Sequence, residues 1–317
     1  MTNYSDLTTR EAFGRVLTKL AATDNRIIVL DADVSRSTMT KYFAQAFPDR
    51  FIECGLAEQN MISIAAGLAS CGKIPVASTF AVFASSRCFD QVRMCIAQPH
   101  SNVKVVATHG GITVGEDGSS HQAIEDISLY CSLPHFNVVV PSDAIETVEV
   151  IKTAIATEGP FYVRLGRSKT PVLYPNGCSF KLGRADRLRD GEDCTIIAAG
   201  IMVSMAVQAA DFLSKSGVRC RVLNMSTLKP IDQKSILDAA SDTGAIITAE
   251  EHLLHGGLGS MVAQIISCNN PVPLSSLGIN DTYCKSGKPE ELLEMQGLTA
   301  GDIEEAVKAV IVRKKVR

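Results

Sequence analysis

Two stretches decide the reading: Phe51-Ile52-Glu53-Cys54-Gly55-Leu56-Ala57-Glu58-Gln59-Asn60-Met61, and Thr108-His109-Gly110-Gly111-Ile112-Thr113-Val114-Gly115-Glu116-Asp117-Gly118-Ser119-Ser120-His121-Gln122. In the first, Glu58 precedes Met61, Ile62, Ile64, Ala65 and Ala66, so a helix of small and apolar side chains is predicted over 57–71 with a carboxylate at its mouth. Gly67 is expected to let that helix approach a neighbour closely. A carboxylate at a helix start is first of all a favourable dipole contact. Glu53 and Glu58 lie across a turn from each other, and their spacing alone does not make an acid pair. In the second stretch, His109, His121, Glu116 and Asp117 share a glycine-rich loop. It reads either as a hydrogen-bonded structural loop or as a ligand loop. The spacing H-x(11)-H matches no compact metal site, and the loop is neither G-x-G-x-x-G nor a P-loop.

Working outward, short apolar runs alternate with helical patterns. Leu7, Phe13, Val16, Leu17, Leu20 and Ala21 predict a helix over 6–22. Ile27-Ile28-Val29-Leu30 reads as a strand covered on both faces, followed by the polar turn Asp31-Ala32-Asp33-Val34-Ser35. A turn at the carboxyl end of a parallel strand is where α/β folds place ligands. Further elements are expected as a helix near 38–47, a strand over 74–79, a helix to about 97, a strand over 103–108 and a helix over 123–133. A strand over 138–141, a helix over 143–157 capped by Ser142 or Asp143, and a strand over 161–165 follow. Residues 168–190 interrupt the alternation with Pro171, Pro175, Asn176 and Gly177. It resumes with strands at 194–199, 219–224 and 244–249 and helices at 202–215, 232–240, 258–267 and 300–312. The predicted fold class is α/β, with two parallel-sheet α/β domains.

The totals bound the function. A length of 317 residues with 46% hydrophobic and 21% charged side chains fits a globular chain of about two domains. A net charge of −3 gives no reason to expect nucleic acid or acidic surfaces as partners. Ten cysteines without a C-x-x-C pair fit reduced thiols and a cytoplasmic location. The opening MTNYSDLTTREAFG lacks the pattern of a signal peptide, and no apolar run approaches the ~20 residues of a membrane span.

Other candidates carry bland and functional readings side by side. Phe80 and Phe83 are core aromatics or a flat face for an aromatic ligand. Arg10, Arg87, Arg93, Arg164 and Arg167 are solvent charges by default, with Arg167 set apart by its place after a strand and a glycine. Glu250, Glu251, His252 and His255 precede Gly256-Gly257-Leu258-Gly259, where interface packing or helix capping is expected before catalysis.

Taken in order, Glu53-x-Gly55-Leu56-Ala57-Glu58-Gln59-Asn60-Met61, Ser78-Thr79-Phe80-x-x-Phe83, Thr108-His109 and Gly115-Glu116-Asp117-Gly118-x-x-His121-Gln122 resemble the carboxyl-terminal half of transketolases. The resemblance covers nearly the whole chain. It implies a pyrimidine-binding domain over 1–175, a linker over 176–190 and a transketolase C-terminal domain over 191–317. Glu58 matches the glutamate that hydrogen-bonds N1′ of the thiamine diphosphate aminopyrimidine and promotes loss of the C2 proton. Such a carboxylate needs a poorly solvated pocket. Phe80 and Phe83 match aromatics packed on the pyrimidine, and Asp33 and Val34 match positions near the cofactor. His109, Asp117 and His121 match residues of the sugar channel, where they would bind hydroxyls and assist proton transfer. Arg10, Ser37, His109 and Arg167 match positions that hold a sugar phosphate.

Two departures follow. A third aromatic often present beside the pyrimidine falls near Ser86, and the Gly-Asp-Gly motif of the diphosphate and metal site is absent. The resemblance therefore implies one subunit of a split transketolase, with no metal ligand of its own. Mg²⁺ or Ca²⁺ would be held by an amino-terminal, diphosphate-binding partner subunit in an α2β2 heterotetramer. The expected activity is transfer of a two-carbon ketol unit between phosphorylated sugars, with no nucleic acid or membrane partner. The alternatives are a deoxyxylulose-phosphate synthase-like or 2-oxo acid dehydrogenase β-like subunit, or a non-catalytic assembly subunit.

Overall fold

The computed structural model describes residues 4–315. Its strands are β1 (Ile27–Asp31), β2 (Phe51–Glu53), β3 (Ile74–Phe80), β4 (Lys104–Thr108), β5 (Asn137–Val139), β6 (Phe161–Arg164), β7 (Asp186–Arg189), β8 (Cys194–Ala198), β9 (Cys220–Asn224), β10 (Thr227–Lys229), β11 (Ile246–Leu253) and β12 (Leu274–Ile279). They form a seven-stranded sheet in the order β10-β5-β6-β4-β3-β1-β2 and a five-stranded sheet in the order β12-β11-β8-β9-β7. Every pairing is parallel except β10 with β5 and β7 with β9. The chain is thus an α/β protein with two mostly parallel sheets.

Covering both faces of the first sheet explains the continuous apolar runs. Val29, Val76, Val106 and Val163 pack on one side with Phe13 and Leu17 of helix Thr9–Ala21. Leu30, Ala77, Val105 and Ala107 pack on the other with Met61 and Ile62 of helix Glu58–Ser70. Helix Thr9–Ala21 begins in a reciprocal box, with Thr8 accepting from the Glu11 amide and the Glu11 carboxylate accepting from the Thr8 amide. Helix Ala144–Ala156 is capped by Asp143, whose Oδ1 accepts from the Glu146 amide at 2.8 Å, as its sequence predicts.

Some elements differ from expectation. The helix expected near 38–47 is two short ones, Ser35–Thr38 and Lys41–Ala46, broken where Met39 takes a left-handed φ of 68°. The segment expected as a helix to 97 contains two π-helical stretches, Phe83–Arg87 and Val92–Ala97. Gly67 has open space rather than a close neighbour at its Cα. Strand β7 forms inside the stretch read as a linker, and β10, from the later part of the chain, joins the first sheet.

Among the described residues, no helix is long and apolar enough to cross a membrane. The cysteines are all free.

Candidate active site

Because β2, β1, β3, β4 and β6 run parallel side by side, their carboxyl ends share one edge of the first sheet. That edge collects the candidate residues: Asp33, Val34 and Ser37 after β1, Glu58 after β2, Phe80 at the end of β3 and Phe83 after it, His109 to His121 after β4, and Arg167 after β6.

Glu58 opens helix Glu58–Ser70 and is 1% exposed. Arg87 closes it off, with Nη1 donating to Oε1 and Oε2 at 3.0 Å each. The Arg87 guanidinium in turn lies 4.4 Å from the centre of the Phe83 ring, and about half of its side chain is exposed. Arg87 therefore has a role at the site that its default reading as a solvent charge misses.

Phe83 and Phe80 stack with ring centres 5.9 Å apart, and Phe80 stacks on His109 at 4.0 Å. His121 meets the edge of both rings, at 5.5 Å from Phe83 and 6.1 Å from Phe80. The His109 Nδ1 shares a hydrogen bond with the Thr108 hydroxyl at 2.7 Å, and the His121 Nδ1 shares one with Ser120 at 2.9 Å. These six residues, from Glu58 through Arg87, Phe83 and Phe80 to the two histidines, form one connected surface.

The loop after β1 is built on Asp31. Its buried carboxylate accepts from the Val34 amide and from the hydroxyls of Thr38 and Thr40 at 2.7–2.8 Å. Burial pushes its pKa up to about 6 even with these three donors. Glu53, five residues before Glu58, turns away from it and accepts from the amides of Asp33 and Gly55 at 2.8 and 3.1 Å. It ties the Asp33 turn to the approach of the Glu58 helix and adds no second carboxylate to the site.

A basic group lies beside the histidines. Arg10 Nη1 donates to the main-chain oxygen of Ser37 at 2.8 Å, and its buried Nε has no partner among the described residues. Arg167 Nη1 donates to Asp117 at 3.1 Å and to the Val114 carbonyl. Burial lowers the Arg10 pKa, and the charge of Arg167 lowers it further. Burial also lowers His109 to about 3, helped by the positive charges of Arg10, Arg167 and His121. His109 is therefore neutral at any ordinary pH.

That shift has a measurable consequence. In the unfolded chain an imidazole takes up its proton near 6.5, whereas folded His109 resists protonation until about 3. Its contribution to stability is full above the unfolded pKa and lost as pH falls towards the folded one. Asparagine tolerates the left-handed backbone at His109, where φ is 63°, and carries no titrating group. Urea unfolding across pH 6.5 to 4 should show wild type losing up to about 1.4 kcal/mol per pH unit more than His109→Asn. Parallel curves for the two proteins would contradict a buried neutral His109.

Arg164, read as a solvent charge, is instead 5% exposed. Its Nε donates to Asp126 at 2.8 Å, and its Nη2 donates to the carbonyls of Ala123 and Glu251 at 3.0 Å. The end of a fully buried strand was the signal that could have found it. In the acidic and histidine cluster at the end of β11, Glu250 meets the capping expectation. Glu250 accepts from the amides of Leu258 and Gly259 at 2.7 and 2.8 Å and so caps helix Leu258–Asn269. His252 is bonded at both nitrogens, to the Leu253 carbonyl and the Ser128 amide. Among the described residues, no group of three or more His, Cys, Asp or Glu is placed to hold a metal ion.

Residues 5–172 match the family model "Transketolase, pyrimidine binding domain", and residues 183–303 match "Transketolase, C-terminal domain". The chain belongs to the transketolase family. It is 44% identical over 297 residues to the "Putative transketolase C-terminal section" of Methanocaldococcus jannaschii, covering 93% of each chain. It is 40% identical to the "6-deoxy-6-sulfo-D-fructose transketolase subunit SqwH" of a Clostridium species, covering 97% of this chain and 96% of that one. Among solved structures, it superposes on "Split gene transketolase, inactive beta4 tetramer" with a TM-score of 0.91 and 47% identity, covering 97% of this chain and 99% of that one. Within the transketolase family it thus corresponds to the carboxyl-terminal section of the split enzymes.

Proposed function

We propose that this chain is the pyrimidine-side subunit of a two-chain, thiamine diphosphate-dependent transketolase that moves a two-carbon ketol unit between phosphorylated sugars. The observation that carries the reading is the junction of buried Glu58 with the Phe80–Phe83–His109–His121 surface on one sheet edge. The residues fit the cofactor's pyrimidine end: Glu58 offers a shielded acceptor for a ring nitrogen, and Phe80 and Phe83 offer a flat apolar wall. Asp33 and Val34 lie in the turn that Glu53 ties to the same site. Thiamine diphosphate, when bound, supplies the nucleophilic carbon and the electron sink for breaking and making the bond beside the ketone. The Arg87 guanidinium would yield one Glu58 oxygen to the pyrimidine, a movement its half-exposed position allows.

The chain's other residues then bind and orient the sugar. Neutral His109 can donate or accept at Nε2, since Nδ1 is engaged by Thr108. His121 and Asp117 would serve hydroxyls along the channel and assist proton transfers there. Arg10, Ser37, His109 and Arg167 would hold the phosphate. The unpartnered Arg10 Nε and the mutual repulsion of Arg10 and Arg167 both favour an anion between them. The diphosphate and its Mg²⁺ or Ca²⁺ would be held by an amino-terminal partner subunit in an α2β2 assembly. The relative described as an inactive β4 tetramer supports a need for that partner.

A second reading changes only the anion. The 40% identical Clostridium relative is named for a sulfonated sugar, and a sulfonate would present three oxygens to the same arginines. The test is a ketol-transfer assay with thiamine diphosphate and Mg²⁺ on this chain, the partner and their mixture, with fructose 6-phosphate, xylulose 5-phosphate and 6-deoxy-6-sulfofructose as donors. Transfer in the mixture alone supports the split enzyme, and the donor ranking chooses the anion. Activity in this chain alone, or only with pyruvate, would overturn the reading.

A further inference from the structure

The second sheet carries none of the residues expected to touch substrate, yet it reaches under the His109–His121 loop at several points. Glu251 of β11 is buried, and its Oε1 accepts the Thr113 amide at 2.6 Å. The carboxylate fills the space beside Gly111, where a side chain would overlap it and where φ is +80°. The main chain of β11 adds two links: the Glu251 carbonyl accepts from Arg164, which also holds the Ala123 carbonyl, and the Leu253 amide donates to the Ile124 carbonyl at 2.8 Å. Near the far end of the loop, Gln122 Nε2 donates to the Lys285 carbonyl at 3.1 Å, and Gly118 leaves room for the Ser286 hydroxyl.

Of these tethers, only Glu251 combines a carboxylate acceptor, burial and a loop glycine shaped around it. Its bond to Thr113 stands four residues from His109. The Arg164 charge and the Ile112 and Thr113 groups also favour the carboxylate where it stands, so a shift of the loop would strip a buried acceptor of its loop donors, which is costly. A loop so held presents His109 to Phe80 in one orientation.

We propose that Glu251 is a positioning residue for the His109–His121 loop, so that the second sheet sets the geometry of the substrate site without touching substrate. The inference rests on the reading of that loop as sugar-binding. Held loops of this kind matter because small misplacements of binding groups cost rate steeply.

The test has two arms. In the isolated full-length chain, NMR of ¹⁵N-labelled histidine follows His109, whose ring protons are shifted by the Phe80 stack. Glu251→Ala should erase that shift and let His109 titrate nearer to 6.5. Glu251→Gln, which keeps a carbonyl acceptor for Thr113, should restore the wild-type spectrum. In the reconstituted enzyme, Glu251→Ala should raise the sugar KM by about tenfold to a hundredfold, with thiamine diphosphate affinity unchanged and recovery in Glu251→Gln. A wild-type His109 spectrum in folded Glu251→Ala, or equal defects in the Ala and Gln variants, would overturn the proposal. If Glu251→Ala does not fold, Glu251→Asp decides, because it keeps the charge and withdraws the acceptor by one methylene. A wild-type His109 spectrum in Glu251→Asp then counts against it, and a displaced one supports it. Absence of ketol transfer by the wild-type pair would count against the proposed function, and the spectrum of the chain alone would still judge Glu251.

Discussion

Glu58→Ala is expected to lower ketol transfer by the reconstituted pair by about 10²–10⁴-fold, the range for loss of a positioned acid–base group. The fold should survive. Glu58 is the buried partner of its ion pair, so alanine removes the costly charge and leaves only Arg87, which water can solvate from its exposed side. Glu58→Gln keeps the shape of the side chain and offers a neutral carbonyl, so it separates the need for an acceptor from the need for a carboxylate. Turnover should be read beside circular dichroism and urea unfolding of the same preparations. A Glu58→Ala pair with near-normal turnover would remove Glu58 from the chemistry and leave the dipole contact at the helix start as its whole role.

The largest stability effect is expected from Arg164→Met. Asp126 is fully buried, and its Oδ2 accepts from Arg164 Nε at 2.8 Å and from the Tyr162 hydroxyl at 2.6 Å. Methionine keeps much of the side-chain volume while removing the charge and the donors to Ala123 and Glu251. Breaking one side of a buried pair leaves the other charge uncompensated, at a cost of about 3–5 kcal/mol. Urea unfolding should show a lower midpoint with an unchanged slope. Arg164→Met combined with Asp126→Asn should recover part of the loss, because no buried charge is then stranded. A loss below about 1 kcal/mol would mean that Asp126 finds another partner when the arginine leaves.

How far the sequence could be read depended on where each residue's partners lie. Strands β1, β3, β4 and β6 were legible because helices cover both faces, so Ile27–Leu30 and Val103–Thr108 have little reason to alternate. Strand β7 was not, because Asp186-Arg187-Leu188-Arg189 lies at a sheet edge with mostly exposed side chains. Strand β10 is three residues long and pairs with a strand nearly ninety positions earlier, which no local pattern announces. The break at Met39 needs a left-handed residue that the sequence does not mark with glycine or asparagine.

At the site, Glu58, Phe80, Phe83, His109 and His121 could be grouped because the family motifs hold them at fixed spacings. The geometry adds their stacking and the ion pair from Arg87. Glu251 is not legible in the sequence, since its bond to Thr113 spans 138 positions and joins the loop after β4 to the second sheet. The burial of Arg164 is not legible in the sequence, because an arginine is exposed by default and the acid that neutralises it sits 38 residues away.

Strand β10 has one more consequence. By joining β5, it covers hydrogen-bonding groups that would otherwise form the free margin of the first sheet. The two halves of the chain are therefore stitched together rather than set side by side. A cut between them, however well placed in the sequence, would bare a sticky seam on one fragment and unravel a finger of the other. The chain is a single heritable piece whose halves cannot be traded separately.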